Sequence, residues 1–223
     1  MRGIFLISFL SGCIAVSTYQ TPVTTPKDDI SFGFSLSGFF SPDTLYELPP
    51  ITVPTFSFRY GLSDNSDIGF SFVGFPFFFG TNYVDYKYQI TNTGLLSAID
   101  IGSGFWVWFG DFFDVRNPYF VLPFVGLSFG NERVFFGGRI NYATYSQYTR
   151  YRENNQDVWK RESTSFAFTS LFLGFTLGKG SFKFAPEFDF IIPISQIQTL
   201  KDQAFLPALG FSYTFGFIYL PSK

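Results

Sequence analysis

Residues 55–73, TFSFRYGLSDNSDIGFSFV, set two alternating runs on either side of a turn. Phe56, Phe58 and Tyr60 interleave with Ser57, Arg59 and Gly61. Beyond Leu62–Ser66, Ile68, Phe70 and Phe72 interleave with Asp67, Gly69 and Ser71. A period of two around a polar turn predicts an antiparallel hairpin with one aromatic and one polar face. The same pattern recurs along the chain in more hairpins than a single soluble core can cover. A transmembrane β-barrel accommodates it by turning the aromatic band to lipid and the polar face to the lumen.

Composition points the same way. Aromatic residues make up 23% of the 223, with 35 Phe, and charged residues only 14%, against about 25% in an ordinary soluble domain. Outside the extreme N-terminus there is no apolar run of about 18 residues, which argues against a membrane helix. The formal net charge is −2 and the basic residues are scattered, so no nucleic-acid partner is expected. Histidine is absent, which removes His-based triads, general bases and most His-containing zinc sites. One cysteine, Cys13, supplies neither a disulfide framework nor a metal cluster. No catalytic residue, metal or cofactor is expected.

Alternation predicts ten strands, at about 30–40, 51–62, 67–79, 83–91, 97–109, 118–129, 133–148, 164–177, 181–193 and 204–219. Gly80-Thr81-Asn82 reads as a turn between the third and fourth. Connections after strands two, six and eight are tight, and the one after four is modest. Those after one, five, seven and nine are longer, while the short link after strand three breaks the pattern. Short turns on one side and long loops on the other are the asymmetry of outer-membrane barrels, with both chain ends on the short-turn, periplasmic side. Trp106 and Trp108 are expected as interface anchors.

The N-terminus reads as an export signal over 1–17. Met1-Arg2 is followed by an apolar core, Gly3–Leu10 (GIFLISFL), and then by small residues. Leu10-Ser11-Gly12-Cys13 resembles the bacterial lipoprotein box, which would make Cys13 the lipidated first residue. Cleavage after Ala15-Val16-Ser17 is the other reading. Residues 18–29, TYQTPVTTPKDD, read as a polar tether, and 30–220 as the barrel.

Over about 29–220 the chain resembles the small integral outer-membrane β-barrel proteins of Gram-negative-type bacteria. The resemblance rests on Arg59-Tyr60-Gly61-Leu62-Ser63-Asp64 with Asp67-Ile68-Gly69, and on the closing aromatic strand 211–219. It implies localisation in the outer membrane, lipids of that membrane as surroundings, and delivery by the barrel insertion machinery. In that family the last strand commonly ends in a terminal Phe. Here Tyr219-Leu220 is followed by Pro221-Ser222-Lys223, so the resemblance implies an insertion signal that is displaced or weak.

With the polar faces assigned to the lumen, Arg59, Lys87, Arg139 and Lys183 share it with Asp67, Asp85, Asp100, Glu187 and Asp189. Such a set can form a salt-bridged plug in a narrow lumen or an ion-selective ring. Glu187 and Asp189, two apart on one face, are expected as counter-ions rather than as an acid/base pair or a Ca²⁺ site. The charged loop 150–163, RYRENNQDVWKRES, carries Arg150, Tyr151, Arg152, Trp159, Lys160 and Arg161, an outer surface able to bind a ligand.

Three readings of function follow. The first is a non-enzymatic outer-membrane barrel acting in surface structure or adhesion through its outer loops. The second is a narrow channel for ions or small solutes. The third is a soluble lipocalin-like barrel with an apolar ligand inside, which demands the opposite facing of every strand.

Overall fold

The structure, a computed structural model, describes residues 21–40, 52–75, 79–107, 111–112, 115–153, 156–194 and 210–221. Its strands in chain order are β1 (Ile30–Phe40), β2 (Thr52–Ser63), β3 (Ser66–Phe75), β4 (Phe79–Thr91), β5 (Leu96–Val107) and β6 (Asp111–Phe112). They continue as β7 (Val115–Gly130), β8 (Val134–Glu153), β9 (Gln156–Phe175), β10 (Phe182–Phe184), β11 (Glu187–Pro193) and β12 (Gly210–Tyr219). Each long strand pairs antiparallel with the next, and β12 returns to pair with β1 from Phe32↔Tyr219 to Phe40↔Phe211. The sheet is therefore closed and has no long free edge. β6 pairs with β7 beyond the end of β5, and β10 and β11 lie end to end along β12, so twelve strands make ten staves. This is an up-and-down transmembrane β-barrel, as the alternation predicts.

The facing of the strands settles the choice between bilayer and soluble barrel. Phe32 (42%), Phe58 (52%), Ile140 (57%) and Phe217 (59%) stand out from the wall, whereas Lys87, Glu187 and Asp189 are each 2% exposed. Rings point away from the axis and charges toward it. A lipocalin-like interior needs the reverse parity, so that reading is overturned. An outward band of Phe, Tyr, Ile and Leu is stable only where its surroundings are apolar, as in a bilayer.

Three strand limits differ from the sequence reading. Gly80 and Thr81 do not turn the chain; they pair with Gly74 and Val73 inside the β3–β4 ladder. The stave at 181–193 is interrupted at Ala185-Pro186, where proline has no N–H to give the ladder. The charged segment 150–163 is not an open loop. β8 and β9 stay in register from Val134↔Phe175 to Glu153↔Gln156, making one hairpin of two 20-residue strands. Thr, Tyr and Val are good strand formers there, and the cross-strand pairs carry the ladder beyond the membrane. Residues 1–20, Trp108 and 204–209 lie outside the described residues, as does the side chain of Trp106.

Candidate functional site

The lumen is built in two layers. Toward the short-turn end, inward residues of β2 to β5 are charged; toward the loop end they are apolar. Register explains the charged layer. Asp67 lies opposite Lys87, Lys87 opposite Asp100, Asp100 opposite Gly126, and Gly126 opposite Arg139. Along that cross-strand row, neighbouring charges alternate in sign, so each carboxylate has a cation on an adjacent strand.

Arg59 is the hub. Its Nε and Nη2 donate to Asp67 Oδ1 at 2.9 and 2.6 Å. Its Nη1 and Nη2 donate to Asp85 Oδ2 and Oδ1 at 3.2 and 2.5 Å. Reaching Asp85 requires the guanidinium to pass over Gly69, the β3 residue between the two. A Cβ on Gly69 would stand 2.5 Å from Arg59 Nη1 and 2.7 Å from Asp85 Oδ2, so a side chain there would have to push the two apart. Gly126 clears space in the same way for Asp100, whose Oδ1 would be 2.5 Å from a Cβ there. Across it, Arg139 Nε faces Asp100 Oδ2 at 3.7 Å, and the Arg139 guanidinium also lies 4.2 Å over the Phe124 ring.

Segment 21–29, part of the polar tether expected at 18–29, packs across the short-turn mouth. Lys87 Nζ donates to the carbonyls of Thr21 and Val23 at 3.1 and 2.8 Å, and sits 3.7 Å from Asp67 Oδ2. The Thr25 N–H donates to Asp67 Oδ2 at 2.7 Å, and Thr24 Oγ1 donates to Gln89 Oε1 at 3.0 Å. Lys27 then bridges to Gly61, handing the chain to β1. The space left beside this segment, lined in part by Arg59, Lys87, Ser57 and Thr25, is about 20 Å³, room for about one water.

Eight of the nine residues expected in the charged lumen are buried there: Arg59, Asp67, Asp85, Lys87, Asp100, Arg139, Glu187 and Asp189. Asp189 Oδ2 accepts a 3.0 Å bond from Ser212, and Glu187 lies two residues away on the same inward face. Lys183 is the exception. It sits on β10 at the rim, and its Nζ pairs with the largely exposed Glu132 of the β7–β8 turn at 3.6 Å. Among the described residues, no group of His, Cys, Asp and Glu side chains is arranged to hold a metal.

The apolar layer has no counterpart in the sequence reading. Val53, Val73, Tyr83, Phe120, Leu122, Phe124, Phe166, Phe168 and Ile191 form one buried cluster. Its signal lies in 118–129, where Phe120, Leu122 and Phe124 are as large and apolar as their outward neighbours Val121 and Val125. A strand apolar on both faces is buried on both.

At the loop end the β8–β9 hairpin gathers the residues expected for an outer surface. Arg150 pairs with Asp157, Tyr151 donates to Glu162, and Lys160 lies 5.6 Å over the Tyr151 ring. Arg161 donates to Tyr119 and Ser146, and Arg116 of β7 lies 4.2 Å over Trp159. Arg150 beside it holds the Asp157 carboxyl below its ordinary range, and the bond to Glu162 pushes the Tyr151 hydroxyl up.

No family model and no curated protein matches this sequence. Among solved structures, the chain is similar to the attachment invasion locus protein Ail of Yersinia pestis. With Ail in complex with the heparin analogue sucrose octasulfate, identity is 11% and the TM-score 0.33, over 86% of this chain and 95% of that one. With Ail in its other crystal structure, identity is 12% and the TM-score 0.30, over the same shares. The N-terminal β-barrel domain of Pseudomonas aeruginosa OprF gives 11% identity and a TM-score of 0.28, over 86% and 97%.

Proposed function

We propose that this chain is a non-enzymatic outer-membrane barrel whose lumen is closed and whose working surface is the hairpin at the loop end. The observation that carries the reading is the segment 21–25, bonded to Asp67, Lys87 and Gln89 across the mouth. Beneath it Arg59, Lys87 and Arg139 face Asp67, Asp85 and Asp100, and toward the loop end lies the buried apolar layer. A conducting ring needs hydrated charges along an open path, whereas paired charges under a bonded segment favour a plug.

Export by the N-terminal signal, a lipid on Cys13 in the periplasmic leaflet, and insertion through the closing strand β12 complete the proposal. The short-turn end, where residue 21 lies, is then the periplasmic one. Planar-bilayer recording of the full-length protein tests it. A silent trace across a broad voltage range is expected. A steady ion conductance would overturn the closed lumen in favour of the narrow channel.

A further inference from the structure

We propose that the outward face of β7–β9, just beyond the apolar belt, grips phosphate groups of membrane-lipid headgroups in the leaflet at the loop end. The outward side chains change character row by row along the hairpin. Pro123, Tyr142 and Ala167 end the apolar stretch, and Val121, Thr144 and Ser165 form the border, where Thr144 and Ser165 hydrogen-bond at 3.0 Å. Next come Tyr119, Ser146 and Ser163, then Arg116, Tyr148 and Arg161, then Arg150 with Trp159, then Arg152 with Asp157.

Four guanidinium groups thus share this face with two carboxylates at described register positions: Asp157, engaged by Arg150, and Asp111, opposite Arg116 in the β6–β7 ladder. Glu162 is on the opposite face, at the register position of Gln147.

Two of the four are held in place. The Arg161 side chain turns back toward the belt, donating to Ser146 at 3.2 Å and to the Tyr119 hydroxyl at 2.8 Å. Arg116 is laid over the Trp159 ring at 4.2 Å. One row of residue pairs spans about 7 Å along a strand, or about 5 Å of height in a tilted barrel. The Arg161 guanidinium, next to the Ser146 row, therefore stands about 5 Å past the border. That is the depth of the headgroup layer, which adds about 5–8 Å to each side of the hydrocarbon. A lipid whose tails lie on Val121, Ile140 and Tyr142 would bring its phosphate to Arg161, while Arg116, over Trp159 of the next row out, adds positive charge beyond it. Guanidinium groups match phosphate oxygens with paired, charge-assisted hydrogen bonds. Continuity with the lipid-facing belt favours a lipid over a dissolved anion. The inference needs the transmembrane fold but not the closed lumen.

The test reconstitutes the full-length protein in vesicles of equimolar phosphatidic acid and phosphatidylcholine. The protein is then extracted into mild detergent and the retained lipids are measured by mass spectrometry. Enrichment of phosphatidic acid by about tenfold is expected, falling toward the bulk ratio in an Arg116→Gln/Arg161→Gln variant that keeps a heat-resistant barrel on gels. Equal retention of the two lipids overturns the proposal, as does an enrichment unchanged in the variant. Binding of inorganic pyrophosphate as tightly as phosphatidic acid overturns the lipid in favour of a soluble anion. If the double variant does not form the barrel, Arg161→Gln alone gives the comparison, and the wild-type lipid ratio decides without any variant.

Discussion

Arg59 of β2 and Asp85 of β4 meet at 2.5 Å across Gly69, the strand residue that separates them. The contact exists because one position between them carries no side chain. Gly69→Val should therefore weaken the barrel by about 1–3 kcal/mol, as expected for overpacking, and by more if the ion pair breaks. Gly138→Ala is the matched control. Its Cβ would meet a Leu171 methyl at 3.1 Å on the lipid side, where that methyl can yield. Urea midpoints of refolded protein in vesicles compare the two. Equal loss in both would show that the space above Gly69 is not reserved for Arg59.

Asp67 and Asp85 together balance Arg59 and Lys87, so removal of either carboxylate leaves one cation uncompensated in the lumen. Asp67→Asn and Asp85→Asn should each cost about 3–5 kcal/mol, the usual result of breaking a buried pair. The Arg59→Met/Asp85→Leu double variant should lose less than the sum of its single variants. A strictly additive double-mutant cycle would contradict the pairing.

Lys87 fastens segment 21–25 through two backbone carbonyls. Lys87→Met should free that segment while leaving the barrel closed through β1 and β12. Limited proteolysis from the short-turn side should then cut within 21–29 in the variant and not in the wild type. Equal protection in both would mean that Lys87 does not hold the segment.

Asp157 lies at the hairpin tip with its carboxyl held low by Arg150. A depressed folded value contributes order that is present above the ordinary carboxylate pKa of 3.8 and lost as pH falls through the lower folded value. Amide exchange over 150–153 and 156–157, corrected for the intrinsic pH dependence of amide exchange, should be unchanged between pH 7 and 5 and should quicken only below about pH 4. Quickening near pH 6 would point to some other group.

Residue parity made most of the wall legible. Over 30–37, 55–61, 67–72, 84–90, 187–190 and 211–217 apolar and polar residues alternate, so the lipid face and the lumen face follow there from counting by two; Val53, Val73, Tyr83 and Ile191 break the alternation in the apolar layer. Parity gives the face but not the height along the axis. Lys183 shares the parity of Glu187, yet it lies nearer the short-turn end of the same stave, opposite Ile218 where Glu187 is opposite Thr214, and so reaches the rim beside Glu132. The role of Thr21–Thr25 was hidden for another reason. Its bonds to Lys87 use backbone carbonyls, which every residue type carries. The apolar layer escapes parity because Phe120, Leu122 and Phe124 are as apolar as Val121 and Val125 beside them, so alternation marks neither face as the inner one. The charge of 150–163 reads as a loop, yet charge does not forbid a ladder once the strands stand clear of the bilayer.

The facing of the strands is open to direct measurement. In a Cys13→Ser background, which removes the chain's one cysteine, nitroxide labels are placed in turn at Phe34, Ser35, Ser57, Phe58, Phe70 and Ser71 of the barrel in vesicles. Labels at Phe34, Phe58 and Phe70 should relax readily with oxygen dissolved in the lipid, and those at Ser35, Ser57 and Ser71 should not. The opposite alternation, or none, would contradict an aromatic wall set against hydrocarbon and a lumen that encloses Arg59 and its carboxylates.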